Sequence, residues 1–349
     1  MESKLISLLK QEAITLPTED IGLFSGKMGV CLALYVANKG IGNKEYSEKA
    51  DNILYEIINK IPYETRLTLD NGLIGIGLAI DLLITHGYIE GSTDDVLYNI
   101  DASLYKAIKD HRIKHGVDCC TGLIGYLIYI VNRLQNQEQR RDTKLYELNS
   151  ATLRAIINGL AEAMPATFDY ISKDLYTSIL WNYPLLFIYI NKALKLNIYN
   201  DRIINILKEW TFYINAYSPF YNINKLYLAV SLLNQTVKIS KIERQIKNLL
   251  FAIDIDELYN EIDPKIMDIN EGWFFVVMLL KAAEDIFKTT AYKETFSNTR
   301  IKIEKNYGIL YDDFIERRKR QNRKFNASLI HGIAGIEIID SIRNFLFDN

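Results

Sequence analysis

The stretch GLIGIGLAIDLLI at residues 72–84 is apolar on almost every side, which is the pattern of a helix buried all round. Its small opening residues recur. Gly26-Lys27-Met28-Gly29, Gly72-Leu73-Ile74-Gly75, Gly122-Leu123-Ile124-Gly125 and Gly332-Ile333-Ala334-Gly335 each begin an apolar run. Three weaker copies fill the gap before Gly332: WNYPLLFIYINKAL from Trp181, NKLYLAVSLLN from Asn224 and EGWFFVVMLLKAAE from Glu271. A period of about 50 residues, repeated seven times, overrides the two-domain prior that a chain of 349 residues would suggest.

Ahead of the apolar runs lie segments with a 3.6-residue period and one charged face, such as EKADNILYEIINKI at 48–61, 145–164, 200–216 and SKIERQIKNLLFAID at 240–254. Each repeat therefore reads as an outer helix followed by an inner one. The inner helices are too apolar for the solvated concave face of an open α-solenoid, so a closed ring buries them better. The pattern predicts one all-α domain over 1–349, an α/α toroid of seven helix pairs, with the open solenoid as the alternative. Segments near 26–39, 72–86, 122–136, 181–195, 272–288 and 332–347 are expected to line its centre. Glycines at i and i+3 share a helix face and are expected to let inner helices approach closely.

Composition agrees. Six prolines and eighteen glycines are few for this length, which favours long helices over a many-turned β fold. An apolar share of 49% and a mean hydropathy of -0.03 are those of a globular chain. With 41 basic against 43 acidic residues, a net charge of -2 gives no global reason to bind nucleic acid or anionic lipid. No apolar run reaches membrane-spanning length. Cys31, Cys119 and Cys120 are an odd count without a disulfide framework. The N-terminal MESKLISLLKQEAITLPTED has charges within its apolar stretch and lacks a signal-peptide pattern. A cytoplasmic location is the expectation.

In a closed ring the loops leading into the inner helices gather at one mouth, where helix N-termini favour anions. The residues so placed are Asp20, Ser25, Asp70, Asn71, Asp118 to Thr121, Trp181, Asn182, Glu271 and Asn326 to His331. A mouth rich in Tyr and Trp suits a peptide or a sugar. Each also has a structural reading. Asp118 is then a helix-start anion that anchors its loop, and His331 a hydrogen-bonded residue at a helix start. Trp181, Trp210 and Trp273 are then packing residues, His86 a helix cap and Cys31 buried filler. The run Arg317-Arg318-Lys319-Arg320, with Arg323 and Lys324, reads as a solvated helix end or as a receptor for an acidic peptide.

Asp118-Cys119-Cys120-Thr121-Gly122-Leu123-Ile124-Gly125 has the form D-x-x-x-G-L-x-G, and Ile330-His331-Gly332-Ile333-Ala334-Gly335 has the form x-H-G-x-x-G. Through these motifs and the seven G-x-x-G-like runs, the whole chain resembles the lanthionine synthetase C-like family, the cyclase component of lanthipeptide biosynthesis and its relatives. The resemblance implies a toroid, a peptide substrate and a zinc ion. Zinc is held there by a Cys of a W-C-x-G segment and by the Cys and His of C-H-G, and it lowers a substrate thiol's pKa so that thiolate adds to a dehydrated residue.

This chain departs from that set. Ile330 stands for the C-H-G cysteine, and Glu271-Gly272-Trp273-Phe274-Phe275, aligned with W-C-x-G, has no cysteine. Trp181, in Trp181-Asn182-Tyr183-Pro184-Leu185, takes the place of the family's catalytic His before G-x-P-G. Only Asp118 and His331 are kept, and one His cannot supply the three protein ligands that zinc needs, so no cofactor is expected. The other cluster with metal-like spacing is His111-x-x-x-His115 with Cys119 and Cys120, although HRIKHG also reads as an outer-helix end at Gly116 where His favours the dipole.

Three functions follow as expectations. The first is a divergent family member that binds a peptide or a partner enzyme of a peptide-modification pathway without zinc-dependent cyclase activity. In it Asp118 and His331 are kept as neighbours, and Asp118, Trp181, Asn182, Glu271, Trp273 and His331 line the ligand-binding mouth. The second is an active cyclase with rearranged zinc ligands. The third is a carbohydrate-active toroid whose paired carboxylates include Asp118, with Glu271 as a candidate partner.

Overall fold

The computed structural model describes residues 20–41, 44–61, 65–110, 116–137, 143–174, 177–233, 237–254, 256–263, 266 and 268–287, with single positions from 294 to 329. Among them the chain is helical without strands: α1 Lys27–Ile41, α2 Lys44–Lys60, α3 Leu73–Thr85, α4 Thr93–Lys109, α5 Leu123–Asn136, α6 Lys144–Ser172, α7 Asn182–Lys195, α8 Asn200–Ala216, α9 Asn222–Leu233, α10 Ser240–Phe251 and α11 Trp273–Phe287, with a 3-10 turn at Glu257–Tyr259. The fold is an α/α toroid. No helix of the described residues is long and apolar enough to cross a membrane.

The odd-numbered helices are the inner ones, each touching the next from α1 to α11, and the even-numbered helices lie outside them. The expected segments therefore line the centre from α1 to α11, while 332–347 lies outside the described residues. One detail differs from the sequence reading: of its two inner neighbours, each outer helix packs chiefly on the one before it, as α2 does on α1 and α6 on α5. The connections explain this. The link at residues 196–199 folds inner helix α7 onto outer helix α8 as an αα-hairpin, whereas 13 residues separate α4 from α5 and 21 separate α10 from α11.

Helix starts differ around the ring. Outer helices α4 and α6 carry side-chain caps, with Ser92 Oγ accepting from Asp95 N at 3.4 Å and Thr143 Oγ1 from Tyr146 N at 3.1 Å, whereas outer helices α8 and α10 have none. Inner helices α3 and α5 start at Gly72 and Gly122, which have no such cap. Backbone carbonyls satisfy their first N–H groups instead: Lys27 N donates to Asp20 O (2.7 Å), Leu73 N to Arg66 O (2.9 Å) and Leu123 N to Gly116 O (2.8 Å).

That folding explains the G-x-x-G spacing, and not by helix-to-helix approach as expected. A Cβ at Gly122 would run into Gly116 O, and one at Gly125 into Cys119 O. The second glycine also receives the preceding loop's leucine: Leu329 faces Gly29, Leu23 faces Gly75 and Leu69 faces Gly125. The glycines make room for loop backbone. Leu329, from the far end of the chain, sits on α1 and donates its N–H to Phe24 O at 2.9 Å, which closes the ring.

One feature of the interior is charged. Arg133 on α5 is fully buried, and its guanidinium reaches Asp81 of α3 (3.0 Å) and Asp94 and Asp101 of α4 (3.2 and 2.9 Å). Tyr129 OH and Asn149 Nδ2 complete the shell of Asp101 at 2.6 and 3.2 Å. Four helices are thereby tied at one point. Burial raises the Asp81 pKa above the ordinary carboxylate range, against the opposing pull of Arg133.

Candidate functional site

The lead-in loops are joined edge to edge around the mouth. Leu329 N bonds Phe24 O, Phe24 N bonds Asp70 O (2.9 Å), and Leu69 N bonds Cys120 O (2.7 Å). Cys119 N then donates to Asn182 Oδ1 at 2.8 Å, and Ile179 N to Asn270 O at 2.6 Å. Asp118, Trp181, Asn182 and Glu271 thus belong to one hydrogen-bonded belt.

Asp118 is half-buried and folds its own turn: Oδ1 accepts from Thr121 N (2.6 Å) and Oδ2 from Thr121 Oγ1 (2.9 Å). This is the helix-start anchor of the structural reading. Asp268 does the same before α11, its Oδ1 taking Asn270 N and Glu271 N at 3.0 Å each. Before α9, Glu261 takes Asn222 N (2.8 Å) and Ile223 N (2.9 Å), and Asp174 Oδ2 takes Phe220 N (2.7 Å). Several helix N-termini that the sequence offered to a bound anion are therefore occupied by the protein's own carboxylates. Sequence reasoning missed Asp268, Asp174 and Glu261. Asp268 had a signal, since it precedes Gly272 by the same four positions as Asp118 precedes Gly122.

Trp181 is the N-cap of α7 and has no solvent exposure. Its ring sits among Tyr217, Tyr183 and Tyr227, with centroids 6.0, 6.3 and 6.4 Å away. Phe168 and Phe187 pack edge-on against Tyr183, and Phe275 against Tyr227. The indole Nε1 and the Tyr183 hydroxyl have no hydrogen-bond partner among the described residues. Trp210 is also buried, on α8. The start of α7 is thus packed by aromatic bulk. Tyr170, near the end of α6, is exposed on this side, as is Phe220 in the loop before α9. Partial burial and then the neighbouring Asp118, Cys119 and Cys120 raise the Tyr170 pKa.

Glu271 is half-buried at the start of α11, where its backbone oxygen accepts from Thr177 Oγ1 at 3.4 Å. Trp273 begins α11. The expected pairing of Asp118 with His331 falls on His331, which lies outside the described residues, as do His111, His115 and Ile330. Helix α4 ends at Lys109, before either of those two histidines and well short of Gly116. His86 caps α3, with Nδ1 2.9 Å from Leu82 O.

The zinc that the family resemblance implies finds no fitting donor set among the described residues, where no group of three His, Cys, Asp or Glu side chains is placed to hold a metal ion. Cys119 Sγ lies 3.4 Å from Leu180 O and 3.8 Å from Cys120 Sγ. The hydrogen bond with Cys120, and then burial, push the Cys119 thiol well above its ordinary pKa, the opposite of what a thiolate ligand requires. Cys31 is fully buried, its Sγ donating to Ala50 O at 3.4 Å.

Comparison with known proteins agrees with this architecture. Residues 17–176 match the family model described as "Lanthionine synthetase C-like protein". No curated protein matches in sequence. Among solved structures, "Nisin cyclase" is similar with a TM-score of 0.64 and 14% identity, covering 100% of this chain and 94% of that one. At that identity the likeness is one of fold.

Proposed function

We propose that this chain is a divergent relative of the lanthionine synthetase C-like family, a reading that the match over 17–176 and the shared toroid support, and that it binds a peptide, or a partner enzyme of a peptide-modification pathway, at its mouth and does not carry out zinc-dependent thiol addition. One observation carries the reading. At the place where the resembled family has its catalytic His, this chain has Trp181, buried in an aromatic cluster and unable to move a proton at neutral pH. Nisin cyclase is by its name a cyclase of a peptide, and the toroid shared with it is the ground for a peptide ligand here. The belt of loops supplies a preorganised rim, with Tyr170 exposed beside Asp118 as an aromatic contact.

The test uses the purified chain and a fluorescently labelled peptide bearing cysteine and dehydrated serine or threonine. Saturable binding is expected, with every peptide thiol still alkylatable after prolonged incubation with added zinc. Consumption of those thiols with formation of a thioether would overturn the proposal in favour of an active cyclase. Absence of binding would overturn it from the other side.

A further inference from the structure

We infer that Cys119 and Cys120 form a reversible dithiol–disulfide site at the mouth, oxidised by hydroperoxides. The site is independent of any peptide ligand. The two cysteines are adjacent in sequence and their Sγ atoms lie 3.8 Å apart. They are the two central residues of a turn whose ends are locked by Asp118 and Thr121. That turn already holds both sulfurs on one side, and contraction to about 2.05 Å makes the bond. Their environments divide the labour. Cys119 is buried, whereas Cys120 is half-buried and meets an oxidant first.

The chemistry balances with a hydroperoxide as the oxidant. The Cys120 thiolate attacks the peroxide, the O–O bond breaks, and Cys120 sulfenic acid and, from hydrogen peroxide, one water result. The Cys119 sulfur then attacks the Cys120 sulfur. The S–O bond breaks, the S–S bond forms, and the departing hydroxide takes the Cys119 proton as a second water. Two electrons leave the thiols and two reduce the peroxide. Adjacent Cα atoms lie about 3.8 Å apart, closer than the usual disulfide span of about 4.4 Å or more, so the ring is strained and opens readily to a thiol reductant.

Ring closure draws Cys119 Sγ away from Leu180 O and twists the Cys119–Cys120 peptide, next to the Cys119 N–H that Asn182 Oδ1 holds. Oxidation therefore acts on the joint between the loops before α5 and α7. Cys31, sealed inside α1, is excluded from this chemistry.

The experiment treats the full chain with hydrogen peroxide, alkylates free thiols and digests with trypsin, which leaves both cysteines in one peptide, His115–Arg133. That peptide is expected to be lighter by two hydrogens and unalkylated, and to regain two alkyl groups after dithiothreitol. In Cys119→Ser the disulfide is absent and Cys120 runs on to the sulfinic acid. In Cys120→Ser, which spares the buried side chain, Cys119 stays free of oxygen in the native protein. Recovery of both thiols reduced from the wild type, or of a sulfinic Cys120 beside a free Cys119, would overturn the inference.

Discussion

The loop before α5 and the loop before α7 do the same job with different atoms. Before α5 the backbone folds back on itself, Leu123 N bonding Gly116 O, and Gly122 and Gly125 leave the space for it. Before α7 no glycine is present; Ser178 Oγ donates to Asn270 Oδ1 at 2.7 Å, and Trp181 fills the interior with its ring. The family match spans the first kind of loop and ends at residue 176, just before the second. The comparison teaches that a ring joint needs loop-to-loop hydrogen bonds and filled volume, and that either bare glycine or aromatic bulk provides them. A histidine is not among those requirements.

The largest expected effect breaks the α7 side. Trp181→Ala leaves a cavity amid the aromatic cluster and should lower unfolding free energy by about 4 kcal/mol in a urea titration. Loss below about 1 kcal/mol would mean that the ring is not packing. The α5 side should respond to the opposite change: Gly125→Ala adds a Cβ against Cys119 O, with a loss of about 3 kcal/mol, whereas a glycine whose Cβ meets nothing, Gly87, tolerates added bulk but is held at φ +70° and loses about 1 kcal/mol.

A smaller, pH-dependent effect separates the charged interior from the aromatic one. Because burial raises the folded-state pKa of Asp81, the folded chain holds that proton more tightly than the unfolded chain does. Its contribution is present in full below the unfolded value near about 3.9 and is lost as pH rises through the folded value, with a slope of at most about 1.4 kcal/mol per pH unit. Asp81→Asn should flatten that part of the stability profile measured by urea titration from pH 4 upward, roughly, within the range where carboxylates titrate. An unchanged slope would place the proton elsewhere.

The helices were legible in the sequence because both signals that define them are local: all-round apolarity for 72–84 and a single charged face for 240–254. Six of the seven expected inner runs are helices among the described residues, and the closed ring was read from their all-round apolarity. What the glycines face was not legible, since Leu69 meets Gly125 only after two loops have folded together. The same holds for Arg133, whose three carboxylates come from two other helices. Asp118 was found through its motif, yet its engagement with Thr121 depends on a turn that sequence spacing leaves open. The pairing of each outer helix with the preceding inner one was misread because loop length was not weighed against helix order.

The smallest expected stability effect concerns the last loop. His331→Ala should leave unfolding free energy within about 1 kcal/mol of wild type, as at sites away from the core, while weakening capture of the labelled peptide. Unchanged binding with a large stability loss would make His331 a structural residue.

The most direct measurement is the zinc content of purified, untagged protein after exhaustive dialysis, read by elemental mass spectrometry. Family-type thiol activation requires one bound zinc per chain, whereas the substitutions at Ile330 and around Trp273, together with Trp181 in the histidine's place, lead us to expect far less than one. A stoichiometric zinc that survives dialysis would contradict the zinc-free mouth and return the chain to the active cyclases.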